Sequence, residues 1–371
     1  MNLYLIIHHS ADRTQVGSLI VAAADSTIRL IRVDGRRKEV HNRMHTERII
    51  IIGAGPCGLA AAIELQRAGF DPLIIEKRNV VHSISQYPVY LQFFSSPELL
   101  EIGDIPFTTT GDKPTRIEAL NYYRSVALRR EVRMHTYTEV TRLAPLPDGR
   151  FSLEARNRYG KPLRYEADRV VIATGYFDHP NMLGIPGEEL DKVSHFFREA
   201  HPYTRTRVVI IGGSNSAIDA ALELDRVGAE VTVVYRGAGY ASGIKPWVLP
   251  LFESKAAKGR IRMMFASQVV SIEEESVTVS TAGGEERLPN DFVLALTGFH
   301  PDRRFLSETG VRIEPEGWPF FDENTMETNV PGVYLAGVVA SRREANEIFI
   351  ETGRFHGRKI AAHLIGERGT R

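Results

Sequence analysis

Three glycines, Gly53, Gly55 and Gly58, follow four consecutive isoleucines, Ile49 to Ile52. That spacing fits a phosphate-binding turn. The first glycine permits the tight turn, the second lets the backbone approach a pyrophosphate, and the third lets a helix pack closely on the strand. A helix from Leu59 to about Gly69 then aims its N-terminal N–H groups and positive dipole end at the phosphates. The next strand, Pro72 to Ile75, ends in Glu76. An acid about 20 residues past the first glycine suits a ribose hydroxyl. Alone, such a glycine pattern is weak evidence; set between a strand and a helix, with its acid in place, it is specific.

The pattern recurs. Arg207-Val-Val-Ile-Ile211 reads as a buried strand, Gly212-Gly213-Ser214-Asn215-Ser216-Ala217 as a second phosphate-binding turn, and Ile218 to Val227 as its helix. Alanine is an accepted variant at the third position. Ser214, at the second, keeps a small side chain but narrows the backbone approach. The following strand, Glu230 to Tyr235, ends in Arg236 rather than an acid. A carboxylate repels a 2′-phosphate and a guanidinium pairs with one, so this turn reads as a site for NADPH over NADH. The plainer alternative is a surface arginine after a strand.

Elements must position these turns. Four isoleucines suit a strand covered on both faces of a parallel sheet. From Asn79 to Phe107 the chain is irregular but rich in aromatics and hydroxyls, as in a loop that wraps a flat ligand. Arg116 to Arg130 has helical spacing. Tyr137 to Asp168 alternates, broken at Pro147-Asp-Gly149 and Tyr159-Gly-Lys161, as an antiparallel meander does. It leads into the apolar strand Arg169-Val-Val-Ile-Ala-Thr-Gly175. A further meander runs from Gln268 to Leu288, and Asp291 to Gly298 returns the chain. A strand, Gly332 to Gly337, and a helix from about Ala345 to Ile365 finish it. The expected fold class is α/β, with two Rossmann-like, three-layer ββα dinucleotide-binding domains. The second, at 201–295, is inserted in the first, at 44–200 and 296–371.

Composition sets bounds. The 371 residues suit two or more domains with sizeable cores. Hydrophobic residues make up 43% and charged residues 25%, ordinary values for a soluble globular protein. Net charge is +0, so nothing points to a nucleic-acid or anionic-membrane partner. One cysteine excludes an intrachain disulfide, a cysteine metal cluster and a Cys-x-x-Cys centre, and fits a reducing cytoplasm. Residues 1–43 do not fit the plan. No basic stretch precedes their first apolar segment, which argues against a signal peptide. The reading is a mis-called N-terminal extension, with translation starting at Met44, or else a disordered or loosely docked arm.

From about residue 47 onward the chain resembles the thioredoxin-reductase-like pyridine nucleotide–disulfide oxidoreductases, and more narrowly the YpdA-type bacillithiol-disulfide reductases. The carriers are Gly53-Ala-Gly-Pro-Cys-Gly58, Phe93-Phe-Ser-Ser96, Ile102-Gly-Asp-Ile-Pro-Phe107, Gly212 to Asp219, Gly243-Ile-Lys-Pro-Trp247 and Ile348 to Gly357. The resemblance implies FAD on the first fold, NADPH on the second, and reduction of a low-molecular-weight thiol disulfide. It implies FAD contacts from Gly53, Gly55, Pro56, Cys57, Gly58, Glu76 and Lys77. Tyr87, Ser95, Ser96 and Val140 follow, then Ala173, Thr174, Gly175, Gly337 and Val338. It implies NADPH contacts from Gly212 to Ala217 and Arg236. It also places the last helix with its N-terminus at the pyrimidine end of the flavin, where the dipole stabilises charge on the reduced ring. Relatives of this fold usually pair as homodimers. Two departures from thioredoxin reductase stand out. There is no dithiol, and Val338 replaces the acid that usually holds the ribityl chain.

Cys57 is then the sole candidate thiol. A helix N-terminus lowers its pKa, and a neighbouring pyrophosphate opposes that. The plainer role is a small residue filling a tight turn. His195, His201, His356, Lys245 and Trp247 are left without catalytic assignment. Three rivals share the layout: a flavin-dependent monooxygenase, a ferredoxin- or flavodoxin–NADP reductase, and a non-enzymatic redox sensor. Against the first, Ser95-Ser96 stands where those enzymes carry a Thr-Asn pair.

Overall fold

The computed structural model describes residues 19–21, 29–31, 44–342 and 347–369. The chain divides into two units, Met1–Arg43 and Met44–Arg371. In the first, Leu19–Val21 pairs antiparallel with Arg29–Ile31. The rest of 1–43 lies outside the described residues, and with it the reading of an extension or arm.

The isoleucine run behaves as its composition demands. Ile49 to Ile52 are all buried in the strand His45–Ile52. That strand pairs in parallel with Leu73–Ile75 on one side and with Pro162–Ile172 on the other. Met134–His135 and Val333–Leu335 complete a five-stranded parallel layer. The strand Pro162–Ile172 does two jobs. Its first half closes an antiparallel meander with Thr138–Pro145 and Phe151–Asn157, and its second half joins the parallel layer. The helix Pro56–Arg67 covers the layer with Leu59, Ala60, Ala61, Ala62, Ile63 and Leu65. It begins three residues earlier than Leu59 because Pro56, with no N–H to satisfy, is suited to the first helical position. The final helix, His356–Gly369, packs against it. A Cβ on Gly357 would stand 2.5 Å from the Ala61 backbone, so the two helices meet backbone to backbone.

The second sheet is parallel throughout, in the order Ile261–Met264, Glu230–Val234, Arg207–Ile211, Phe292–Ala295, Val193–Ser194. Because Val193–Ser194 pairs with Val293–Leu294, the chain enters the second fold before residue 201. The helix Asn215–Arg226 covers this sheet and starts at Asn215 rather than Ile218. Gln268–Ile272, Ser276–Thr281 and Gly284–Pro289 form the second meander.

Two further readings change. The irregular stretch after Asn79 contains the short helices His82–Gln86 and Pro97–Leu100. The terminal helix is two pieces, Ile350–Gly353 and His356–Gly369, rather than one. Among the described residues, no helix is long and apolar enough to cross a membrane.

Candidate functional site

Gly53 has φ +110, and a Cβ there would lie 2.5 Å from the Ala173 carbonyl oxygen. A Cβ on Gly58 would lie 2.1 Å from the Gly53 carbonyl oxygen, so the third glycine is dictated by close packing. At Gly55 a Cβ would meet nothing within 4 Å, which leaves the backbone open to an approaching phosphate. Gly55 caps the helix Pro56–Arg67, whose first turn carries no acidic residue to compete for its dipole.

Glu76 sits at the tip of the second strand and is 7% exposed. One carboxylate oxygen accepts the Ala54 N–H at 2.7 Å, and the other accepts the Arg78 N–H at 2.7 Å. Burial raises its pKa, and those two donors pull it back. The acid therefore fastens the glycine turn to the neighbouring strand while lining the cavity. Lys77 pairs with Asp178 at 2.7 Å. Sequence reasoning missed Val81, which holds φ 46, an expensive conformation for a β-branched residue. Its N–H donates to the Ala54 carbonyl at 3.0 Å, and its side chain is buried.

Cys57 is wedged. A Cβ on Gly337 would come within 3.0 Å of its Sγ, and one on Gly353 within 2.8 Å. The thiol fits because both neighbours are glycines. Burial pushes its pKa up to about 12, so desolvation outweighs the helix dipole and the resting group is a thiol. The Gly337 N–H donates to His356 Nδ1 at 3.1 Å. Burial lowers the His356 pKa to about 4, so the ring is a neutral acceptor there. Tyr87 stands edge-on to Phe177 at 5.0 Å. The Ser95 hydroxyl donates to the carboxylate of Glu351, in the first turn of the short helix Ile350–Gly353.

In the second turn, a Cβ on Gly212 (φ +144) would meet the Leu296 carbonyl oxygen at 2.5 Å. A Cβ on Gly213 would lie 2.3 Å from the Tyr235 ring, and one on Gly237 2.4 Å from the same ring. Tyr235 thus lies flat across two glycines, a contact that strand-and-turn patterning does not reveal. Asn215 donates to the Gly243 carbonyl at 2.8 Å and accepts the Lys245 N–H at 2.8 Å, fastening that loop to the turn.

One cavity of about 2020 Å³ joins both turns. That is roughly twice the upper range for a single small-ligand pocket, so it has room for two dinucleotides. Gly53, Gly55, Pro56, Cys57, Glu76, Lys77, Tyr87 and Ser95 line it, with Val140, Ala173, Thr174, Gly175, Gly337 and Val338. So do Gly212, Gly213, Ser214, Asn215, Ser216 and Arg236. Gly58 and Ala217 lie behind the turns, in the packing role of the third position. Ser96 takes the N-cap position of the helix Pro97–Leu100 and is not among the residues lining the cavity. The loop turns there, so of the two serines Ser95 reaches the cavity. Of the histidines left unassigned above, His195 lines the cavity with Nε2 3.3 Å from Glu188 Oε1, and His201 is exposed.

Two glycine turns, each at a strand–helix junction and both open to one cavity, define a two-dinucleotide oxidoreductase. The chain belongs to the pyridine nucleotide-disulphide oxidoreductase family, whose model matches residues 50–337. It is 52% identical over 325 residues to the bacilliredoxin reductase Bdr of Bacillus subtilis (strain 168), covering 86% of this chain and 98% of that one. The solved bacillithiol disulfide reductase Bdr (YpdA) of Bacillus cereus superposes with a TM-score of 0.85 at 49% identity, covering 87% of this chain and 100% of that one. The Staphylococcus aureus enzyme of the same name gives 0.84 at 45% identity, covering 88% and 100%.

Proposed function

We propose that this enzyme uses NADPH and FAD to reduce the disulfide of a low-molecular-weight thiol of the bacillithiol type, in the cytoplasm. The observation that carries this reading is a single cavity joining both turns in a chain with one cysteine. A dithiol relay is unavailable, so the substrate disulfide has to meet the electron donor inside that cavity. The relatives named for bacillithiol disulfide and bacilliredoxin reduction supply the substrate class.

FAD fits the first turn because Gly55 is open to a phosphate and Glu76 faces the cavity. Bound there, it would supply a two-electron store between the nicotinamide and the disulfide. NADPH fits the second turn, where Arg236 offers a guanidinium to the 2′-phosphate. These two features support reading the first fold as the FAD site and the inserted fold as the NADPH site.

Cys57 takes the covalent contact with the substrate. It is the sole thiol in the chain and it lines the cavity. Burial raises its pKa, so it rests as a thiol and would have to lose that proton before it attacks one sulfur of the disulfide and releases the first thiol. The two electrons that FAD would supply when bound would then free the second thiol and regenerate Cys57.

The test is anaerobic. NADPH should bleach the flavin of the purified holoprotein, and bacillithiol disulfide should restore its colour, with oxygen as a control. Cys57→Ser should keep the first half-reaction and lose most of the second. Unchanged disulfide reduction by that variant would reassign the transfer to direct attack from the flavin. A holoprotein that reduces ferredoxin but no disulfide would overturn the reading.

A further inference from the structure

The loop Gly243–Trp247 has no role in either dinucleotide turn beyond its anchor at Asn215. Trp247 nevertheless stands at the cavity, 54% exposed, with its ring 5.4 Å from that of Phe94, itself 55% exposed. Phe94 comes from the first fold and Trp247 from the second. Lys113 joins them. Its ammonium lies 5.7 Å from the Phe94 ring and 5.6 Å from the Trp247 ring, and it donates to the Phe94 carbonyl at 2.5 Å.

This arrangement is built. The Phe93 N–H donates to the Pro114 carbonyl at 2.8 Å, and the Arg116 N–H donates to the Leu91 carbonyl at 2.9 Å. Those bonds hold Phe94 and Lys113 side by side. On the other side, Asn215 and the Val248 N–H bond to Lys245 fix the backbone that carries Trp247.

The charge balance is what makes the patch informative. Three lysines line the cavity. Lys77 pairs with Asp178 and Lys245 with Asp219, each at 2.7 Å. Among the described residues, Lys113 has no carboxylate partner. Its ammonium has three N–H donors, of which the Phe94 carbonyl takes one. Two ring faces strip part of its hydration, so an anion arriving there competes with less water. Two exposed rings and a cation at a cavity mouth are the complement of a molecule with both an apolar surface and a carboxylate. Disulfides of cysteine-derived small thiols carry such carboxylates.

We propose that Phe94, Trp247 and Lys113 form the entry subsite that binds a carboxylate of the small disulfide substrate and so sets specificity for anionic disulfides. This rests on the disulfide-reductase reading above. The two folds each contribute a ring, so the subsite exists only while they face one another.

The experiment uses the FAD holoprotein in a Trp318→Phe background, which leaves Trp247 as the single tryptophan. Without NADPH, titration with bacillithiol disulfide should change Trp247 fluorescence. Lys113→Met should weaken that binding about ten-fold, and Lys113→Arg should restore most of it. In turnover, Lys113→Met should raise KM for bacillithiol disulfide about ten-fold with little change in kcat. It should leave KM for the uncharged bis(2-hydroxyethyl) disulfide in place. The rate of flavin bleaching by NADPH reports that each variant is folded. Equal changes for both disulfides, or no change in either the titration or KM, would overturn the subsite. So would a loss confined to a bacillithiolated bacilliredoxin, which would make the patch a protein-docking site. Failure of the parent enzyme with every disulfide would sink the functional reading instead, and the fluorescence titration would still decide whether the patch binds the anion.

Discussion

At the scale of single residues, the site is held by polar groups whose charge state is set by burial. His356 is the clearest case. It is 8% exposed, and its neutral Nδ1 receives the Gly337 N–H next to Cys57. Its folded pKa of about 4 lies below the ordinary value of 6.5, so protons bind more tightly to the unfolded chain. The stabilisation is therefore complete above pH 6.5 and is lost as pH falls towards 4. A gap of that size is worth roughly 3 kcal/mol in full. Thermal denaturation between pH 7.5 and 4.5 should show the wild type losing more stability on acidification than His356→Asn. Parallel curves for the two proteins would remove His356 from the account. Legibility at this scale follows the range of the interaction. Gly53, Gly55 and Gly58 were readable because a tight turn constrains its own backbone. Val81 and Tyr235 were not, since their strain and contacts come from residues brought near by folding.

At the scale of elements, strand tips brace the glycine turns. Glu76 does this for the first turn through the Ala54 N–H, and Tyr235 does it for the second by lying over Gly213 and Gly237. Gly213→Ala would drive a methyl into the Tyr235 ring. Displacements of that kind cost about 1–3 kcal/mol. We expect KM for NADPH to rise by roughly ten-fold or more while FAD content stays normal. Trimming the ring as well, in Gly213→Ala/Tyr235→Ser, should recover part of the loss, and strict additivity of the two changes would show that they do not touch. Element types were largely legible, because long apolar runs and alternation are strong signals. The split of the terminal helix was not. It falls where Gly353 packs on Cys57, almost 300 residues away in the chain. The capping box of the helix Arg116–Arg129, with Thr115 and Glu118 bonding reciprocally, was legible in principle and overlooked.

At the scale of the molecule, the outgoing and returning chains between the two folds lie side by side. The Asn181 N–H donates to the Gly298 carbonyl at 2.9 Å, and the Thr297 hydroxyl donates to the Asn181 carbonyl at 2.6 Å. The Asn181 side chain donates to the Thr297 carbonyl at 3.0 Å, and the His300 N–H donates to the His179 carbonyl at 2.9 Å. The nested plan was legible from the repeated grammar of strand, glycine turn and helix. This lacing was not, as it joins stretches more than a hundred residues apart. Residues 182–297 therefore begin and end at neighbouring points. We expect that segment, expressed alone, to fold and to be retained on immobilised 2′,5′-ADP. A fragment that stays unstructured by circular dichroism would contradict this. An insertion whose two ends touch works like a plug in a socket: the strands of the host sheet keep their own order, and the same base could carry a different inserted fold.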